Sequence, residues 1–244
     1  MSEHAELAHP PIVLGSSSPR RRELLARLRV PFSIVTADVD ETPLADETPS
    51  ALALRLALKK AYAVQRLIPT QNIPLTTENA QYSDDRLKAR AEPIVIAADT
   101  VVAMGQDLLG KPRDRQDACA MIQSLVGREH MGITAIAVAR GEHVEHAVHQ
   151  SRVWLRLLSD HDIQSYVDSG DPMDKAGGYG IQNPAFQPVE RLVGCRCSMM
   201  GLPLGALIAL LERFGVHPPR TIPAACPQPE SNMESCMTAA FSIT

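Results

Sequence analysis

Three consecutive arginines, Arg20, Arg21 and Arg22, follow the run Ser16-Ser17-Ser18-Pro19 where a helical pattern begins. The first turn of a helix carries the positive end of its dipole, so cations there are mildly destabilising unless an anion joins them. Exposed N–H groups, serine hydroxyls and guanidinium forks together could hold a phosphate chain. A solvated basic helix face is the plainer alternative. Asp99 is the one acid in the apolar run IVIAADTVVAM (94–104), and the run places it near the end of a strand. A carboxylate there is partly desolvated unless a cation or donor compensates it. Strand ends of α/β sheets are where ligands dock, which suits a general base or a metal ligand, although an Asp can also simply cap a turn.

Further candidates are weaker. ADVDET brings Asp38, Asp40 and Glu41 together after a strand, and carboxylates combined with phosphate oxygens suit Mg²⁺; short acidic loops are also ordinary surface features. GQDLLGKP (105–112) approaches a P-loop, but its last position is Pro112, which lacks both the hydroxyl for Mg²⁺ and a backbone N–H. The Walker reading fails, and Lys111 is left as a phosphate-binding cation. In DKAGGYGIQ (174–182) the paired glycines permit close ligand approach, and Gln182 offers a base edge both a donor and an acceptor. Composition alone would make this segment a flexible turn. His143, His146 and His149 are set aside as a metal site because on a strand His146 faces away from the other two. Cys195 and Cys197 lack a second pair at zinc spacing, and Met199 and Met200 read as core filler.

These residues need elements to hold them. A strand is expected at 11–16, with a helix from Ser18 as N-cap and Pro19 at the first position. A second strand at 32–37 and a long helix from Ser50 to Leu67 follow. After the 94–104 strand come a helix from Asp114 to Gly127 and strands at 131–139 and 152–158. A helix is then opened by a Ser159/Asp162 capping box, and a last helix covers 203–214. Strands alternating with helices indicate an α/β fold. Residues 1–10 are expected to be a flexible N-terminus, and 11–216 a single catalytic domain carrying a polar insertion at about 69–93. The Pro-, Ser- and Thr-rich stretch 217–244 is expected to be a disordered tail.

The composition limits the possible functions. With 244 residues the chain can bury a core without disulfides, and its five cysteines do not form a disulfide framework. A net charge of −4 gives no global basic field for a nucleic-acid polymer, and 4% aromatics leave little for base-stacking platforms. The first eleven residues have two acids, no Lys or Arg and no apolar run, unlike a secretory leader, and no stretch reaches the about 18 apolar residues of a membrane span. A cytoplasmic protein is expected.

Taken in order over about 11–215, LGSSSPRRRELL, the DET segment, LALKKA with Lys60, AADTVV, GKPRD, GREHMGITAIAV, YVDSGDPMDKAGGYGIQ and GLPL resemble the Maf family of nucleoside triphosphate pyrophosphatases. These are relatives of the inosine-triphosphate pyrophosphatases. The resemblance implies a mixed, twisted sheet flanked by helices, with two lobes around a central cleft. It implies cleavage between the α and β phosphates to a nucleoside monophosphate and pyrophosphate, a divalent cation (Mg²⁺ or Mn²⁺), and a homodimer. Asp99 matches the proton acceptor that activates water. Ser16, Arg20, Arg21, Lys60 and Lys111 match polar or cationic positions around the triphosphate, and Glu41 matches an acidic position working with the metal alongside Asp99.

Arg20, Thr100 and Gln182 match the three positions that separate the family's branches, and each carries the type found in the branch acting on dTTP and UTP. The rival branch acts on 7-methyl-GTP, and a nucleotide-binding regulator of cell division or septum formation is a third reading. Two departures stand out. Gly15 replaces the usual Ala, and GCRCSMMGLP puts Arg196 where an aromatic is expected and lacks an Asn, which bears on one wall of the cleft.

Overall fold

The computed structural model describes residues 9–68 and 92–218. The expected insertion at about 69–93 and tail at 217–244 lie almost wholly outside these residues, as does most of the expected flexible segment 1–10.

Seven strands form one mixed sheet: β1 (Ile12–Leu14), β2 (Ser33–Ile34), β3 (Ile94–Met104), β4 (Asp107–Leu109), β5 (Glu129–Arg140), β6 (His143–Leu155) and β7 (Val189–Val193). Their order is β2-β1-β3-β5-β6-β7, with β4 folded back on β3. The β1 pairings with β2 and β3 are parallel, and all others are antiparallel. The helices are α1 (Pro19–Ala26), α2 (Pro49–Leu67), α3 (Arg115–Leu125), α4 (Asp160–Asp168), the short α5 (Arg196–Met199) and α6 (Leu204–Arg213).

Period-two alternation divides the core between the two faces of the sheet. Ile12, Leu14, Ile94, Ile96 and Ala98 point to one face and meet Leu24, Leu25 and Leu28 of the α1 region and Leu207, Leu210 and Leu211 of α6. Val13, Val95, Ala97 and Val101 point to the other and meet α2 through Leu52, Leu56, Ala57, Ala61 and Val64. Those α2 residues recur at helical spacing, so the helix lies along the sheet on one stripe. A third cluster joins α3, α4 and the end of β6 through Ile122, Leu125, Ile163, Val167 and Leu155. It forms a second lobe at the far end of the long central strands.

Local sequence signals set the helix starts. Ser18 and Thr48 cap α1 and α2, each with proline in the first turn. Asp114 caps α3, and Ser159 with Asp162 makes both bonds of a capping box on α4, Asp serving where Glu or Gln is usual.

Several elements depart from expectation. The strand at 32–37 shrinks to Ser33–Ile34, because the β1 it pairs with is only three residues long. The strand expected at 152–158 begins nine residues earlier, at His143, as the return arm of a hairpin paired with β5 from end to end. The elements β4, β7 and α5 were not expected. Asp99 is not near a strand end but is the sixth residue of eleven in β3. The position still behaves as an end, because β3 has a gap along one edge. β5 occupies one edge over residues 95–103. On the other edge β1 takes 94–96 and β4 takes 102–104, so among the described strands none pairs with 97–101 on that side. Asp99 sits at the middle of the gap.

The glycine-rich segment does not behave as a loose turn. Its two 3₁₀ turns are tied to the β4 hairpin by a Gly177 N–H to Gly110 carbonyl bond of 3.0 Å. Gly177 has φ +75°, and a Cβ there would stand 3.1 Å from Val102 Cγ1. Gly177→Ala is therefore expected to destabilise the protein by about 1–2 kcal/mol, the cost of a left-handed non-glycine residue. A lowered urea midpoint with unchanged slope would register it.

Candidate active site

The gap in β3 opens into a cleft of about 720 Å³ between the two lobes, and Asp99 and Thr100 are on its floor. Because they are adjacent on a strand, their side chains go to opposite faces. Asp99 points to the α2 side and Thr100 to the α1 side, so the floor is tied to both flanking layers.

On the α2 side the partner is Lys60. It lies one turn from Leu56 and one from Val64, so its stem shares their sheet-facing stripe. Lys60 Nζ is 2.5 Å from Asp99 Oδ1 and 2.6 Å from Glu41 Oε1. Asp99 is buried and Lys60 nearly so, and neither charge would be stable there without the other. Glu41 is half exposed at the rim. Partial burial would raise its pKa, but the Lys60 hydrogen bond and charge, helped by Lys111 and Arg21, more than offset this and hold it below its ordinary value.

On the α1 side Arg21 spans the cleft floor. Its Nη1 donates to Ser16 Oγ at 3.3 Å, its Nη2 to Thr100 Oγ1 at 3.2 Å and its Nε to the Gly201 carbonyl at 3.0 Å. Thr100 Oγ1 also lies 2.9 Å from Thr134 Oγ1, which donates to the Ser198 carbonyl at 2.7 Å. Burial lowers the Arg21 pKa, with Asp99 opposing that shift, Arg20 adding to it and Glu41 opposing it. Arg20 turns the other way and pairs with Asp174 across the cleft at 3.1 Å. Arg22 is not among the residues lining the cleft.

The remaining candidates divide. Lys111 and Gln182 line the cleft with Ser16, Arg20, Arg21, Glu41, Lys60, Asp99 and Thr100. The nine positions matched through the family resemblance are thus in one place. Asp38 and Asp40 are not with them. Asp40 Oδ1 accepts from the N–H and hydroxyl of Thr42 at 3.0 and 2.6 Å, closing its own turn. The histidines at 143, 146 and 149 lie along β6 with alternating faces, and among the described residues no group of three or more His, Cys, Asp or Glu could hold a metal. Cys195 Sγ instead accepts from Ser198 N–H and caps α5.

The divergent segment forms a wall. Arg196 donates to the Ile181 carbonyl at 3.0 Å and so braces the residue next to Gln182, while Met199, Met200 and Gly201 face the cleft. Gly15 allows a close approach, since a Cβ there would lie 3.1 Å from Val64 Cγ2 of α2. Sequence reasoning missed Thr134 and the Gly201 carbonyl. Both are 34 or more residues from their partners, and neither residue type is distinctive.

The Glu41–Lys60 contact makes a titration test. Glu41's pKa in the fold is below the ordinary 4.5, so its contribution to stability is present above that value and lost as pH falls through the lowered one. Lys60→Met removes the hydrogen bond and the nearest charge. The Glu41 carboxyl resonance is then expected to titrate at higher pH, and an unchanged midpoint would separate the two groups.

The family model for Maf-like proteins matches residues 11–214. A dTTP/UTP pyrophosphatase of Myxococcus xanthus is 43% identical over 208 residues, covering 85% of this chain and 94% of that protein. Another, from Caldanaerobacter subterraneus subsp. tengcongensis, is 41% identical over 208 residues, covering 84% and 90%. A third, from Shewanella denitrificans, is 43% identical over 204 residues, covering 82% and 93%. The match spans both lobes and every residue of the cleft described above, and the chain belongs to the Maf family.

Proposed function

We propose that this chain hydrolyses dTTP and UTP, and modified pyrimidine triphosphates, to the monophosphate and pyrophosphate. The observation that carries the reading is the cleft floor. A buried carboxylate, Asp99, is held 2.5 Å from a lysine at the gap along β3, with Arg20, Arg21 and Lys111 around it. That is a base among cations, the arrangement that water attack on a polyanion requires. The names of the relatives and the residue types at Arg20, Thr100 and Gln182 support pyrimidine triphosphates over 7-methyl-GTP.

In this reading Asp99 takes a proton from water as its oxygen adds to phosphorus, and the bond between the α and β phosphates breaks. Lys60 holds the Asp99 carboxylate in place through their 2.5 Å contact. Arg20, Lys111 and the Ser16–Ser18 turn before α1 face the phosphates, while Arg21 is largely committed to Ser16, Thr100 and Gly201 and holds the floor in shape. Gln182 pairs its amide N–H with O4 of the base and its amide oxygen with N3–H. Asp99 and Glu41 converge on one ammonium, so they could jointly face a hard cation, and two carboxylates completed by phosphate oxygens suit Mg²⁺ or Mn²⁺. When bound, such a cation would neutralise charge developing on the phosphates.

Pyrophosphate release across a nucleotide panel tests the proposal. With Mg²⁺ present, dTTP and UTP are expected to be the preferred substrates, and excess chelator is expected to stop turnover. Asp99→Asn keeps the shape but removes the base, and kcat should fall by about 10²–10⁴-fold while nucleotide binding persists. Preference for 7-methyl-GTP, binding without turnover, or wild-type rates in the Asn variant would each refute the corresponding part.

A further inference from the structure

Lys175 lines the cleft two residues before the Gly177–Gly178 pair, and its charge suggests one more phosphate ligand. Its geometry argues otherwise. The side chain is only 7% exposed, and Nζ contacts three acceptors: the Asp171 carbonyl, Asp171 Oδ1 at 2.9 Å and Asp174 Oδ1 at 2.6 Å. An ammonium has three donors, so these contacts occupy all of them. A phosphate could gain Lys175 only by displacing one of these three acceptors, two of them carboxylate oxygens.

The two carboxylates lead to opposite sides of the base-selecting region. Asp174 Oδ2 accepts from Arg20 Nη1 at 3.1 Å. Asp171 Oδ2 accepts from the Tyr166 hydroxyl and from Asn183 Nδ2 at 3.2 Å, and the Tyr166 oxygen in turn accepts from Gly180 N–H at 2.9 Å. Gly180 and Asn183 flank Ile181 and Gln182, so this limb fixes the backbone that presents Gln182. The lysine stem also packs there, since a Cβ on Gly180 would fall 2.9 Å from Lys175 Cε. Burial would raise the pKa of both aspartates, yet Lys175 and their other hydrogen bonds hold them below the ordinary value.

We propose that Lys175 is a positioning residue for base selection, joining Arg20 to Gln182 and binding no phosphate. The proposal rests on the pyrimidine-triphosphatase reading above. A phosphate ligand meets the same triphosphate in every nucleotide, so losing it scales all substrates by one factor. A positioning residue instead changes the ratio between bases.

The test is kcat/KM for UTP and GTP in the wild type, Lys175→Met, Lys175→Arg and Asp174→Asn, with thermal midpoints measured alongside. A wild-type preference for UTP is the control for the functional reading, and its absence would refute that reading rather than the role of Lys175 within it. Given that preference, Lys175→Met is expected to lower the UTP-to-GTP ratio about tenfold. Lys175→Arg should recover part of it. Asp174 is 60% exposed and bonds both Lys175 and Arg20, so its Asn variant should fold normally and, with the Asp171 limb intact, lower the ratio by a smaller factor. If Lys175→Met does not fold, Asp174→Asn decides. An unchanged ratio in the folded variants, or an equal fall for both nucleotides, would overturn the proposal.

Discussion

The ammonium of Lys60, held between Asp99 and Glu41, sets the terms for the rest of the molecule. A lysine on the apolar stripe of a helix is tolerable only if its charge finds partners at the sheet surface, and a carboxylate in the middle of an apolar strand has the converse need. Each makes the other possible. The contact fixes the rotation of α2 about its axis and its position along β3, because a shift by one turn would bury both charges unpaired. It also orients the Asp99 carboxylate at the floor of the cleft.

A sheet that is interrupted along one edge supplies the space. If β1 continued alongside β3, residues 97–101 would be covered and Asp99 would be an internal misfit. Instead β1 stops at Leu14, the chain turns through Ser16–Ser18 into α1, and Arg21 comes back over the exposed edge. Its guanidinium reaches Ser16, Thr100 and Gly201, three segments far apart in the chain. The alternation of Asp99 and Thr100 thus connects one floor to two helices on opposite faces. Both lobes meet at this floor, and Arg20 and residues of the 171–183 segment line the cleft with it.

Local chemistry made much of this legible in the sequence. Ser18-Pro19, Asp114 and the Ser159/Asp162 pair act within one turn of themselves, so those helix starts could be read directly, whereas α2, expected from Ser50, starts at Pro49 under a Thr48 cap. The apolar run 94–104 with its single acid announced both β3 and the residue to watch. Long-range facts were not legible. β6 alternates His, Glu, Gln and Arg with its apolar residues, so its first half hides as a polar segment until β5 is beside it. Which of Asp38, Asp40 and Glu41 faces inward depends on Asp40 closing its own turn. The bond from Arg21 to Gly201 spans 180 residues and uses a backbone carbonyl, which no residue type advertises. The ordered set of motifs located the cleft residues because it carried that long-range information implicitly.

If water activated at Asp99 attacks the triphosphate directly, no protein atom becomes bonded to phosphorus. A single turnover of UTP in ¹⁸O-water, with enzyme in excess, tests this by mass spectrometry of the products. The expected result is UMP and pyrophosphate carrying together one ¹⁸O per event from the first turnover, with no UDP and no phosphorylated or nucleotidylated protein. An unlabelled first turnover, a trapped covalent adduct, or UDP with inorganic phosphate would contradict it.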